Sequence, residues 1–97
     1  MTDAQLRGLL RDCLSLWDVT AALTPGAEGW EIETEEGVFS LARADPDLRP
    51  ARWMVQTPER RAAGRPARMA PSIVAALSAL RNALGAARGQ KLRIGGA

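Results

Sequence analysis

An α+β domain is predicted by three features of the 97-residue sequence: leucine-rich runs at helical spacing near both ends, a strict alternation of apolar and acidic residues at 30–35, and turn residues that cut the middle into short extended pieces. The expected architecture is an antiparallel sheet of three to four strands with an N-terminal and a C-terminal helix on one face, in the order α-β-β-β-(β)-α. Residues 1–97 suit a single small domain, since folded units typically span about 100 to 150 residues. Apolar residues make up 46% of the chain, but 18 of them are alanine, so 27 larger apolar side chains remain to build the interior. The core is therefore thin, and leucine, isoleucine, valine and the three tryptophans must supply most of it.

Thr2 and Gln5 have capping-box spacing, and Leu6, Leu9, Leu10, Cys13, Leu14 and Trp17 then recur on one helical face, which predicts an amphipathic helix over 3–15 with Arg7 and Arg11 on its wet side. Trp17, Val19, Ala21 and Leu23 alternate with polar residues and predict a first strand, and Thr24-Pro25-Gly26-Ala27-Glu28-Gly29 reads as a turn. Trp30, Ile32 and Thr34 alternate with Glu31, Glu33 and Glu35, the pattern of a strand buried on one face. A two-residue loop at Glu36-Gly37 would set Glu35 opposite Val38, Thr34 opposite Phe39, Ile32 opposite Leu41 and Trp30 opposite Arg43. A three-residue loop would bring Phe39 and Leu41 to the glutamate side, and because a slip of one residue exchanges the faces of a strand, burial selects the shorter loop.

Residues 44–50 read as a connection and Arg52–Gln56 as a short fourth strand, with Trp53 and Val55 inward and Arg52 beside the glutamates. Residues 57–71 carry Pro58, Gly64, Pro66 and Pro71 among four arginines and read as a long flexible loop, of the kind that is often functional or disordered once it exceeds about 12 residues. Pro71 suits a first helical turn, and Ile73, Leu77, Leu80 and Leu84, widened by Val74 and Ala76, predict a second helix ending near Gly85 or Gly89. Residues 90–97 read as a loose tail in which 90–94 offer a short edge strand.

The chain has no histidine and no tyrosine, and Cys13 is its single cysteine. Histidine is the usual acid–base group near neutral pH and the commonest metal ligand, so Ser-His, Cys-His and His-zinc chemistry cannot be built from this chain alone. A lone cysteine closes no internal disulfide and forms no multi-cysteine metal set. These gaps predict a noncatalytic protein without cofactor or metal, in a reducing compartment. Charged residues interrupt the first 20 positions, and no run of about 18 apolar residues is present to span a bilayer. The expectation is a cytoplasmic protein.

Charge is strongly polarised: residues 1–48 hold three arginines against ten acids, a net −7, and residues 49–97 hold ten basic residues against one glutamate, a net +9. An alanine-, arginine- and proline-rich composition arises from base composition alone, so the position of the arginines says more than their number. Arg52, Arg60, Arg61, Arg65 and Arg68, with Arg49 upstream, form one candidate surface, able to grip nucleic-acid phosphates, with Trp53 as a stacking surface. Their plain alternative is a set of solvated loop charges. Glu31, Glu33 and Glu35 form the second candidate, a partner-binding acidic face; at about 7 Å between same-face neighbours the column is too open for a tight cation site without other ligands, and a solubilising face is its plain alternative. Acidic and basic halves can pair within the chain, with a partner, or across a symmetric homodimer. The tryptophans lie in phase with the apolar faces, and Cys13 reads as a small core hydrophobe.

The order of helix, strands and helix resembles that of the double-stranded RNA-binding domain, in topology and not in motif. Where that family has Gly-Pro-x-His between its first strands, this chain has Pro25-Gly26-Ala27-Glu28, and where it has a lysine cluster entering the last helix, this chain has Arg65-Pro66-Ala67-Arg68 beside an acidic sheet. The residues themselves predict a small accessory, regulatory or inhibitor-like module that binds another macromolecule, a protein first, through the acidic face or the arginine loop. Nucleic-acid binding through that loop is the alternative.

Overall fold

The computed structural model describes the backbone of residues 1–96 and the side chains of residues 1–88. Helix α1 (Asp3–Leu16) opens with the expected capping box: the Gln5 N–H donates to Thr2 Oγ1 at 3.1 Å, and the Thr2 N–H donates to Gln5 Oε1 at 2.9 Å. Leu6, Leu10 and Leu14 form its buried stripe. The helix ends where Asp18 adopts φ 58°. The Asp18 N–H donates to the Ser15 carbonyl at 3.2 Å and the Val19 N–H to the Leu14 carbonyl at 2.9 Å, the two bonds of a Schellman closure.

Trp17 therefore caps a helix instead of starting a strand. Strand β1 (Ala22–Gly26) runs through Thr24-Pro25-Gly26, the stretch expected to turn. Proline is tolerated there because β1 is a sheet edge, where one row of N–H groups has no ladder to serve. The turn is Ala27-Glu28, with Glu28 at φ 60°.

Strands β2 (Gly29–Thr34) and β3 (Gly37–Arg43) form the hairpin read from the alternation, joined by Glu35-Glu36. The Glu36 N–H donates to Thr34 Oγ1 at 3.1 Å, and Thr34 Oγ1 donates to the Gly37 carbonyl at 2.9 Å. The observed pairs are Ile32 with Phe39 and Trp30 with Leu41, two residues away from the expected register. A slip of two preserves the faces, so Ile32, Phe39 and Leu41 are buried together as expected.

Strand β4 (Trp53–Gln56) follows a 3-10 turn at Pro46–Leu48. The 57–71 segment is not an irregular loop: it contains a short helix α2 (Pro58–Ala62), capped by Thr57 Oγ1 accepting the Arg60 N–H at 3.1 Å, and a fifth strand β5 (Arg68–Ala70). The sheet is an antiparallel meander, β1-β2-β3-β4-β5. Both edges are blunted, β1 by Pro25 and the three-residue β5 by Pro66 and Pro71 at its flanks.

Helix α3 (Ile73–Gly96) begins after Pro71, with Ser72 Oγ accepting the Ala75 N–H at 3.1 Å. It continues through 90–94, where the sequence predicts an edge strand; the expectation of a loose segment at 90–97 falls on side chains outside those described. Helix α1 lies over β2 and α3 over β3, β4 and β5. Both helices contribute to one apolar cluster with Ile32, Phe39, Leu41 and Val55, against which all three tryptophans pack. The α+β class and the terminal helices are as the sequence predicts, with one strand more. No described helix is long and apolar enough to cross a membrane.

Candidate interaction surfaces

Pairing fixes what the uncovered face of the sheet presents. Glu31 lies beside Thr24 and Ser40, and Glu33 beside Ala22 and Val38; Ala42, Met54 and Met69 follow one another across β3, β4 and β5. Glu33 is exposed and Glu31 half-buried. Glu35 stands in the β2–β3 turn, so the acidic column is two residues deep on the strand and not three. The Met69 side of the apolar row is open, at 42% exposure.

The five arginines expected to act together are divided. Arg60 is tied into its own segment, its Nε–H donating to the Pro66 carbonyl at 3.0 Å, while Gln56 Nε2–H donates to the Arg65 carbonyl at 3.0 Å. Arg61 comes over the uncovered face and shares a small recess with Glu31, Ser40 and Ala42. Arg65 and Arg68 are exposed on either side of Pro66. Arg52 belongs elsewhere, in a groove with Arg43, Arg49, Trp53, Pro50 and Pro71.

Arg43 is a clasp within the fold. Its Nη1 meets Asp3 Oδ1 at 2.7 Å, its Nη2–H donates to the Met1 carbonyl at 2.8 Å, and its guanidinium lies 5.8 Å from the Trp53 ring centroid. Trp30 makes a parallel attachment, its Nε1–H donating to the Asp3 carbonyl at 2.9 Å with Arg7 at 5.8 Å from its ring. The Asp3 side chain is 69% exposed, so the ion pair adds little stability by itself; its role is to fasten the start of α1 to the sheet.

No charged or polar side chain among the described residues is buried, and no group of three or more His, Cys, Asp or Glu residues among them converges as a metal set would. Cys13 is half-buried on α1. Burial, and secondarily the neighbouring Asp12 carboxylate, pushes its thiol above the ordinary value. Because the thiolate is the nucleophile, the rate of alkylation by iodoacetamide is expected to rise at higher pH in the native protein than in the urea-unfolded chain, whose thiol titrates normally. Coincident rate–pH curves for the two states would contradict this placement.

The fold and its surfaces thus define an α+β domain with a helix-covered face, a bare face and an arginine-lined groove at one end. Comparison with protein-family models, with curated proteins and with solved structures finds no match for the chain.

Proposed function

We propose that this protein is a noncatalytic interaction module that binds a partner protein through the uncovered face of its sheet. The observation that carries the reading is the Ala42, Met54 and Met69 row, which runs across three strands on the face opposite the helices, with the Glu31 and Glu33 carboxylates on the neighbouring strand. Methionine adapts its shape to an irregular apolar surface, and the carboxylates select a partner that presents basic side chains at the rim. Arg61 and α2 border the patch on the same face. The partner would therefore lie toward the exposed Met69 end and the exposed Glu33, as an accessory or inhibitory subunit does.

The test is affinity capture from the source cells after nuclease treatment, comparing the wild type with Met69→Asp and Glu33→Arg. Both sites are exposed, so each variant should keep its stability within about 0.5 kcal/mol. A protein retained by the wild type and lost by at least tenfold from both variants is the expected result. Equal retention by all three chains would remove the face from consideration.

A further inference from the structure

The groove at the end of the sheet is a different surface, and we propose that it binds the phosphodiester backbone of single-stranded nucleic acid. It is an open concavity of about 1010 Å³. Two parts of the chain form it: the stretch from Arg43 at the end of β3, through Arg49, Pro50 and Arg52 of the connection, to Trp53 at the start of β4, and Pro71 between β5 and α3.

Its arginines differ in availability. Arg43 is engaged by Asp3, by the Met1 carbonyl and by the Trp53 ring, and so holds the wall in place. Arg49 and Arg52 are exposed, and neither guanidinium has a hydrogen-bond or carboxylate partner among the described residues. Their backbones, in contrast, are fixed: the Arg49 N–H donates to the Pro46 carbonyl at 3.4 Å and the Arg52 N–H to the Ala70 carbonyl at 2.9 Å. Two unpaired guanidinium groups, carried on hydrogen-bonded backbone in one concavity, match what an oxyanion ligand requires, since arginine presents a fork of N–H donors to phosphate oxygens.

The nearby acids do not fill this role. Asp45 turns a carboxylate oxygen to the Asp47 N–H at 2.9 Å, inside the 3-10 turn, and neither residue lines the groove. The remaining walls, Pro50, Pro71 and Trp53, are apolar. Rigid apolar walls beside two phosphate ligands fit the sugar and base surfaces of an unpaired strand better than a duplex, whose bases are turned inward.

The experiment is fluorescence anisotropy with a labelled 20-nucleotide single strand, the matching duplex and a labelled polyglutamate of equal charge, each titrated over a salt series. The chains compared are the wild type, Arg49→Ala/Arg52→Ala, and Arg11→Ala/Arg81→Ala as a control for loss of two exposed charges elsewhere. Circular dichroism checks that each variant is folded. The wild type should prefer the single strand, and the groove variant should bind it at least tenfold more weakly. Loss of two phosphate contacts should also make the salt slope shallower by about 1.4, while the control stays within about threefold of the wild type. Any of four results would overturn the proposal: no binding of the strand at low salt, equal losses in the two double variants, duplex bound as tightly as the single strand, or polyglutamate bound equally well.

Discussion

Replacing Gly29 with alanine should destabilise the protein by at least about 3 kcal/mol, at the upper end of what overpacking usually costs. Gly29 is buried at the start of β2, opposite Ala42 of β3. A Cβ there would collide with the Leu41 carbonyl oxygen and lie 2.7 Å from the Ala42 Cα. Both obstacles are backbone atoms of the paired strand, so no side chain can rotate away and the hairpin must open to admit one methyl group. Gly8 provides the contrast: it lies in α1 with open space where a methyl group would stand, and alanine there should stabilise the helix by about 0.5–1 kcal/mol. Urea unfolding followed by tryptophan fluorescence measures both. A Gly29→Ala midpoint equal to that of the wild type would mean that β2 and β3 pair in some other register.

That register also marks the limit of what the residue pattern can decide. The alternation at 30–35 suffices to assign the faces, because period-two burial is imposed residue by residue. It cannot choose between the expected turn and the observed Glu35-Glu36 turn, since registers two residues apart bury the same side chains. The choice is made by the Thr34 hydroxyl, which bonds on both sides of the turn, and by Gly37 at φ 122° with Pro58 packed against it. Neither signal belongs to the apolar pattern. Strand β1 is displaced for a comparable reason: Trp17 continues the α1 stripe, and Asp18 accepts the left-handed conformation that ends the helix.

Strand β5 has no legible pattern at all. Arg68-Met69-Ala70 is too short to alternate, and it becomes a strand because Val55, Met54 and Trp53 pair with it. The candidate surfaces follow the same division. Glu31 and Glu33 project from the uncovered face as their alternation implies, whereas the arginines, neighbours in sequence, are separated by the fold. Arg52 stays with its sequence neighbours Arg49 and Trp53, and what the fold adds to them is Arg43, across the 44–52 connection, and Pro71.

Truncating Phe39 to alanine should cost about 3–5 kcal/mol. Phe39 is 1% exposed, paired with Ile32, and is the largest of the fully buried side chains. A chain of 97 residues has a total stability on the order of 5–15 kcal/mol, so this one substitution removes a large part of it. The thinness of the core makes the loss hard to recover, because alanines such as Ala70 and Ala76 occupy buried positions that a longer side chain would otherwise let close over a cavity. Val38, the preceding residue, points to the other face and is only half-buried; its truncation to alanine should cost under about 1 kcal/mol. The two variants differ by one position along the same strand, so the gap between their unfolding free energies measures how unequal the two faces are. A large gap is what an interaction face demands, since side chains there must be free to change without endangering the fold. Similar losses at Val38 and Phe39 would mean that both faces are packed, and the uncovered row of Ala42, Met54 and Met69 could not serve as a docking surface.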